Sequence, residues 1–139
     1  MQTSFICPLS NRGFIKLQGS DIKKFLQPLI TNDIDKVTSD KGIYSAILTP
    51  QGKYLFEFFI LKLKDDFLVE CEKESTEEII KLLNFYKLRS KVELVDLSEK
   101  YVAAIISLEK FKEINSSDVL KGKTINYEDS PIYIDPRNE

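Results

Sequence analysis

The apolar positions change their spacing several times along the 139-residue chain. Ser4 to Leu9 and Phe14 to Leu17 read as two short strands, with Asn11-Arg12-Gly13 turning between them. Gln18-Gly19 breaks that pattern. Ser20 then supplies a helix N-cap, and Asp21 places a negative charge in the first turn, where the helix dipole favours one. Ile22, Phe25, Leu26, Leu29 and Ile30 follow at three- and four-residue intervals, which makes one apolar stripe of a helix. Pro28 falls inside the stripe and lacks a backbone donor, so the spacing predicts a distorted or early end there. Thr31-Asn32-Asp33 has two readings: a turn whose side chains bond local backbone, or the polar rim of a pocket.

From Gly42 to Ile60 the pattern is that of a β-hairpin. Ile43 to Thr49 and Tyr54 to Ile60 are rich in β-branched and aromatic residues. Between them Pro50 presets φ, and Gly52 is free to take a positive φ, as a tight turn requires. In the first strand Ile43, Ser45 and Ile47 share one face, and Tyr44, Ala46 and Leu48 the other. The second strand is apolar on both faces except at Glu57. Either Glu57 lies on a solvated face, or it is partly buried. Burial raises a carboxyl pKa unless a cation or a ligand offsets it.

Beyond the hairpin, Phe67 to Cys71 is a strand. Ser75 and Glu78 have the spacing of a capping box ahead of a helix from Thr76 to Lys87, which buries Ile79, Ile80, Leu83 and Tyr86. Leu88-Arg89-Ser90-Lys91 puts cations at its C-terminal end. Strands follow at Val92 to Leu97 and Tyr101 to Ser107, then a short helix from Leu108 to Ile114 and a loop at Asn115 to Asp118. Val119 to Tyr127 fits no single pattern, and Pro131 to Ile134 is a last strand. From Phe67 onward the order is β-α-β-β-α-β, the ferredoxin-like arrangement. The fold class is α+β: a mainly antiparallel sheet with hairpins, a ferredoxin-like segment and helices packed on the sheet.

Composition narrows the function. Twenty Lys and Arg against 22 Asp and Glu leave a net charge of −2, so no basic footprint points to nucleic acid. The absence of histidine excludes Ser-His-Asp and Cys-His catalysis within the chain and any histidine-ligated metal. Cys7 and Cys71 have no metal-ligand spacing and read as buried free thiols in strands. The composition calls for no metal. No apolar run is long enough to span a membrane and no leader pattern opens the chain, so the default location is cytoplasmic.

Four pieces of sequence, in this order, resemble a known family. They are Gly19-Ser20-Asp21 with Phe25-Leu26-Gln27, Thr31-Asn32-Asp33-Ile34, Tyr44 through Lys53, and Tyr86-Lys87-Leu88-Arg89-Ser90-Lys91-Val92. Together they resemble the N-terminal part of the YgfZ-type folate-binding proteins, relatives of the aminomethyltransferase (T-protein) of glycine cleavage. The likeness reaches, more loosely, to Asp135-Pro136-Arg137. It implies a folate-binding N-terminal region over 1–139, truncated relative to the family, with a first-lobe portion at 1–41 and a ferredoxin-like portion at 42–139. It implies tetrahydrofolate or a related reduced folate as ligand, held weakly because the family's pocket draws on residues further along. In the YgfZ branch the implied role is support of iron–sulfur enzymes, including some that modify tRNA. In the other branch it is transfer of a one-carbon unit to tetrahydrofolate, which makes a transferase the alternative.

Two departures bear on that choice. The acid pair of the transferase branch falls here on Phe56 and Glu57, so one acid is lost and the other is Glu in place of Asp. The Lys-Gly-Cys-Tyr motif of the YgfZ branch does not occur, and Lys121-Gly122-Lys123 lacks its Cys. The candidate folate-contacting residues are Asp33, Glu57, Arg89 and Tyr54, with no catalytic residue assigned. Arg89 would pair with a folate carboxylate, and Tyr44 or Tyr54 would stack on a pterin. A third alternative is a non-catalytic interaction module that self-associates through a face left uncovered. No direct contact with nucleic acid or membrane is expected.

Overall fold

The computed structural model of the protein describes residues 5–114, 119–127 and 130–137. Nine strands and three helices are seen among them. The first part contains β1 (Ile6–Leu9), β2 (Arg12–Gln18), α1 (Ile22–Leu26), β3 (Ile43–Leu48), β4 (Tyr54–Leu63) and β5 (Asp66–Glu72). The rest contains α2 (Thr76–Lys87), β6 (Glu93–Asp96), β7 (Ala103–Ile106), α3 (Leu108–Ile114), β8 (Thr124–Tyr127) and β9 (Ser130–Tyr133). A five-stranded sheet in the order β3-β4-β5-β2-β6 forms the centre, and all its pairings are antiparallel. β1 pairs with β7 in a separate ribbon, and β8 with β9 in a hairpin.

Strand alternation divides the sheet into two covered faces. Ile15, Leu17, Ile43, Ile47, Phe58, Ile60, Val69 and Cys71 point to one face. There they meet Ile22, Phe25 and Leu26 of α1 and Ile79 and Leu83 of α2. Phe14, Leu61 and Leu68 point to the other, where Leu97, Ala103, Leu9 and Tyr133 cover them. This explains why the second hairpin strand is apolar on both sides: neither face of it is fully wet.

The α+β class and the antiparallel sheet are as the sequence implies. The β-α-β-β-α-β order is also present along the chain, but its strands are shared among three sheets. β2 inserts between β5 and β6, β7 leaves to join β1, and β8 pairs with β9. The division at residues 41 and 42 crosses the central sheet, because β2 is its fourth strand. The physical reason is register: β2 offers six partners to β5 on one edge and four to β6 on the other.

Several local expectations change. Asp21, not Ser20, is the N-cap residue of α1, and its carboxylate accepts from the Lys91 amide at 2.8 Å instead of capping the helix. The Ser75–Glu78 capping box does not form, since a 3₁₀ turn at Lys73–Ser75 leads directly into α2. Tyr86 is exposed rather than buried, because α2 turns its Ile79 and Leu83 face to the sheet. Cys7 is exposed on β1, while Cys71 is buried as expected. Ser4 and the loop at Asn115 to Asp118 lie outside the described residues.

The hairpin itself is built as its residues require. Gly52 donates to the Thr49 carbonyl at 2.9 Å, closing a turn over Pro50 and Gln51, and takes φ +82°. A bulge at Ile47/Leu48 absorbs the extra residue. Thr31 then ties down the open edge of β3. Its amide donates to the Ala46 carbonyl and its hydroxyl accepts from the Ala46 amide, each at 3.0 Å. Asn32 Nδ2 donates to the Tyr44 carbonyl at 2.9 Å.

Candidate functional site

Register decides which polar groups meet on the second face of the sheet. Tyr44 stands opposite Phe59, Ala46 opposite Glu57, Phe59 opposite Glu70, and Arg12 opposite Glu72. By alternation Tyr44, Glu57, Phe59, Glu70 and Arg12 therefore share one face. The loop after β9 brings Arg137 over them, with its guanidinium carbon 4.8 Å from the centre of the Phe59 ring and 5.5 Å from that of Tyr44. Arg12 approaches Phe59 at 5.9 Å. Phe59 is thus flanked by two guanidiniums and two tyrosines, Tyr44 at 5.5 Å and Tyr133 at 5.4 Å. The face is an aromatic and cationic floor around two carboxylates.

Glu57 is half-buried at one end of this floor. The Tyr44 hydroxyl donates to its carboxylate, and the Tyr54 hydroxyl lies nearby. These phenols hold its pKa below the usual carboxylate range, helped by the charges of Arg137 and Arg12 and opposed by burial. The same contacts act in reverse on the phenols. Burial first, then the Glu57 carboxylate, raises the pKa of Tyr44 and of Tyr54. Glu57 is therefore an ionised acceptor with its partners in place, flanked by donors that stay protonated at neutral pH. Beside it a hollow of about 240 Å³ is lined by Tyr54, Leu55, Phe56, Glu57, Glu72 and Ser75. Pockets that enclose small organic ligands are usually larger, about 300–1,000 Å³. The hollow has room for the edge of a flat ring.

The second carboxylate is locked. Glu70 is buried, accepts from the Tyr133 hydroxyl, and faces Arg12 Nε at 3.8 Å. This docks β9 on the sheet. The hairpin of β8 and β9 is also anchored at its base, where the Gly42 amide donates to the Gly122 carbonyl at 2.8 Å. Gly122 has φ +71°, and a Cβ there would lie 2.4 Å from the Gly42 oxygen. Arg137 is held in turn by Asp135, with Nη2 at 2.6 Å and Nε at 3.0 Å. Burial raises the Asp135 pKa, but its bonds to Arg137 outweigh that, and the carboxyl sits below its usual range.

A pH prediction arises here. Glu57 and Asp135 both have folded pKa values below their unfolded ones, so their contribution is complete above about pH 4.5 and is lost as pH falls through the lowered values. Acid is expected to loosen residues 130–137 before the central sheet unfolds. Amide exchange on Ile132 and Ile134 between pH 6 and 3 reads this. Equal loss of protection across β2 and β5 would count against it.

The structure brings together only part of the sequence-derived set. Glu57 and Tyr54 meet at the hollow, and Tyr44 joins them. Asp33 does not. It is exposed, and its carboxylate accepts from the Asp35 amide at 2.9 Å, capping the short 3₁₀ turn at Ile34–Lys36. Arg89 lies just beyond α2, next to an open concavity lined by Gly19, Ser90 and Lys91 at the Gln18 end of β2. Arg12 marks the other end of that strand, roughly 20 Å away at the usual strand rise. Arg12, Glu70, Tyr133 and Arg137 were not among the candidates. A parity argument finds Glu70, the one charge at the centre of an apolar strand, just as it finds Glu57.

The fold is shared with a protein of known structure. The glycine cleavage system aminomethyltransferase T of Bartonella henselae matches with a TM-score of 0.62 over 68% of this chain and 27% of that one. Identity is 14%, so the match establishes the aminomethyltransferase-like fold. Residues 2–107 match the model of the GCVT N-terminal domain, and the chain belongs to that family. It is similar to the iron-sulfur cluster assembly factor IBA57 homolog, mitochondrial, of Dictyostelium discoideum. Identity is 24% over 160 aligned residues, covering 96% of this chain and 39% of that protein. The protein of the same name from Neosartorya fischeri is 37% identical over 108 residues, covering 66% of this chain and 24% of the relative. The chain thus spans well under half the length of either relative.

Proposed function

We propose that this chain is a folate-binding domain that serves iron–sulfur cluster assembly, with Glu57 as the anchor for the ligand. One observation carries the reading: an ionised carboxylate, set between two phenols on an aromatic and cationic face, opens into a hollow. A carboxylate of this kind accepts two N–H donors from one edge of an aminopyrimidine ring, the edge a pterin presents. Tyr54 is half-exposed at the rim and offers its ring to a flat ligand. The names of the relatives support the cluster-assembly part. Enzymes that modify tRNA are then among the proposed clients. The hollow's small volume supports weak binding by this chain alone, with further wall supplied from outside it.

Calorimetric titration with tetrahydrofolate tests the ligand. Saturable binding in the range of about 10 μM to 1 mM, which corresponds to roughly 7 to 4 kcal/mol, is the expected result. No heat at millimolar folate would end the folate reading. Expression in Dictyostelium cells depleted of the relative tests the role, read as recovery of an iron–sulfur enzyme's activity. A one-carbon transferase remains the second reading, and folate-dependent ammonia release from an aminomethyl carrier would establish it. The default cytoplasmic location is a proposal too. The relatives' names say mitochondrial, and a fluorescent fusion distinguishes the two.

A further inference from the structure

The ladder between β4 and β5 stops early. It pairs Leu63 with Asp66 through to Phe59 with Glu70 and goes no further, although β4 begins at Tyr54 and β5 runs on to Glu72. In the same register the next two residues on this face, Glu57 and Glu72, would stand opposite each other. They carry like charges, which destabilises a directly opposed pair. The strands part there. The hollow beside Glu57 lies in the resulting cleft, with Tyr54, Leu55, Phe56 and Glu57 on one wall and Glu72 and Ser75 on the other.

Hydrogen bonds made by β3 show where the backbone of Glu57 points. The Ala46 carbonyl accepts from the Thr31 amide and the Ala46 amide donates to the Thr31 hydroxyl, both on the side away from β4. Ala46 and Glu57 are thus a non-hydrogen-bonded pair, and Glu57 turns its own N–H and C=O toward β5. Phe59, two residues on, faces the same way and meets Glu70. At Glu57 no residue of β5 is paired on that side. Its N–H and C=O therefore open into the cleft, one donor beside one acceptor. The side chain of Glu72 is free to serve the same space. It is exposed, and both neighbouring cations are turned elsewhere. Arg12, its partner across the ladder with β2, faces Glu70 at 3.8 Å, and Lys73 reaches Glu99 at 3.6 Å.

We propose, resting on the folate reading above, that Glu72 is the residue that selects a reduced pterin ring over an oxidised one. A flat ligand between the walls relieves the opposition of Glu57 and Glu72 by offering donors to both. Glu57 takes the aminopyrimidine edge, which is the same in either oxidation state. The other half of the ring is where the two states differ. Its nitrogens are bare and carry lone pairs when the ring is oxidised, and reduction turns them into N–H donors. A carboxylate only accepts, so Glu72 bonds the reduced ring and repels the oxidised one. The open N–H and C=O of Glu57 supply a donor and an acceptor together and favour neither state. Selection therefore falls to the second wall.

Calorimetric titration of the 139-residue chain compares tetrahydrofolate with folic acid, which has the same tail on an oxidised ring. The reduced ligand is expected to bind at least about tenfold more tightly. In Glu72→Gln the side chain can donate as well as accept, and the two affinities are expected to come within about threefold of each other. Glu72→Ala, which removes the acceptor, is expected to abolish the preference too. The urea midpoint of both variants is expected to hold or rise, because an unfavourable pair of charges is removed. Equal binding of the two ligands by the unaltered chain overturns the selection and leaves the folate reading standing. So does a preference that survives both variants, or a fall in midpoint in both, which would make Glu72 a structural residue. Absence of binding by both ligands removes the folate reading and the selection with it.

Discussion

Ile60→Ala is expected to remove about 2–5 kcal/mol of folding stability, measured as a fall in the urea midpoint with an unchanged slope. Ile60 has no exposed surface and lies midway along β4, opposite Ile43 on one side and Val69 on the other. Its side chain enters the cluster shared with α1 and α2. Truncation leaves a cavity between three strands whose backbones are fixed by ladder bonds, so the site has little freedom to collapse. Domains of this size have about 5–15 kcal/mol in all, so the loss is a large part of the total. A drop under about 1 kcal/mol would mean that the core around the hairpin is looser than its burial indicates.

Glu57→Gln is expected to act on binding and to leave the fold intact. The amide is nearly the same shape, keeps one acceptor for the Tyr44 hydroxyl, and loses the negative charge near Arg137. Against a pterin edge it presents one donor where two acceptors are needed, so affinity for tetrahydrofolate is expected to fall at least tenfold. The urea midpoint is expected to change little, because Glu57 is half-buried and its charge is screened by solvent. Unchanged folate affinity in this variant, with binding otherwise present, would move the ligand away from the hollow. A collapse of stability would mean that the carboxylate is a structural strut.

These two outcomes separate what the sequence carries from what it leaves open. The hairpin is legible because each of its signals is local: β-branched runs, Pro50 and Gly52, and a change of period. The α1 stripe is legible for the same reason, and Pro28 ends the helix early, with α1 closing at Leu26. Sheet order is not local. The insertion of β2 between β5 and β6 depends on pairings across 50 or more positions, and periodicity gives no information at that range. The site divides in the same way. Glu57 stands out as a lone acid in an apolar strand, and Tyr54 follows it closely. Arg89 and Asp33 have suitable chemistry, yet one lies at the far end of β2 and the other serves its own turn. Arg137 joins the face because long-range contacts dock the last hairpin, among them Tyr133 on Glu70, residues 63 positions apart.

The crossing of Gly42 and Gly122 ties that arrangement to a place remote from any ligand. Each glycine is where it is because a methyl group on it would strike the neighbouring segment: the Leu61 side chain in one case, the Gly42 oxygen in the other. At Gly122, where the obstacle is backbone, a side chain would lever the last hairpin away from its seat and carry the guanidinium of Arg137 with it, whereas at Gly42 the Leu61 side chain can swing aside. The roof over Phe59 can therefore be lost through a change at Gly122 that touches neither the floor nor the hollow.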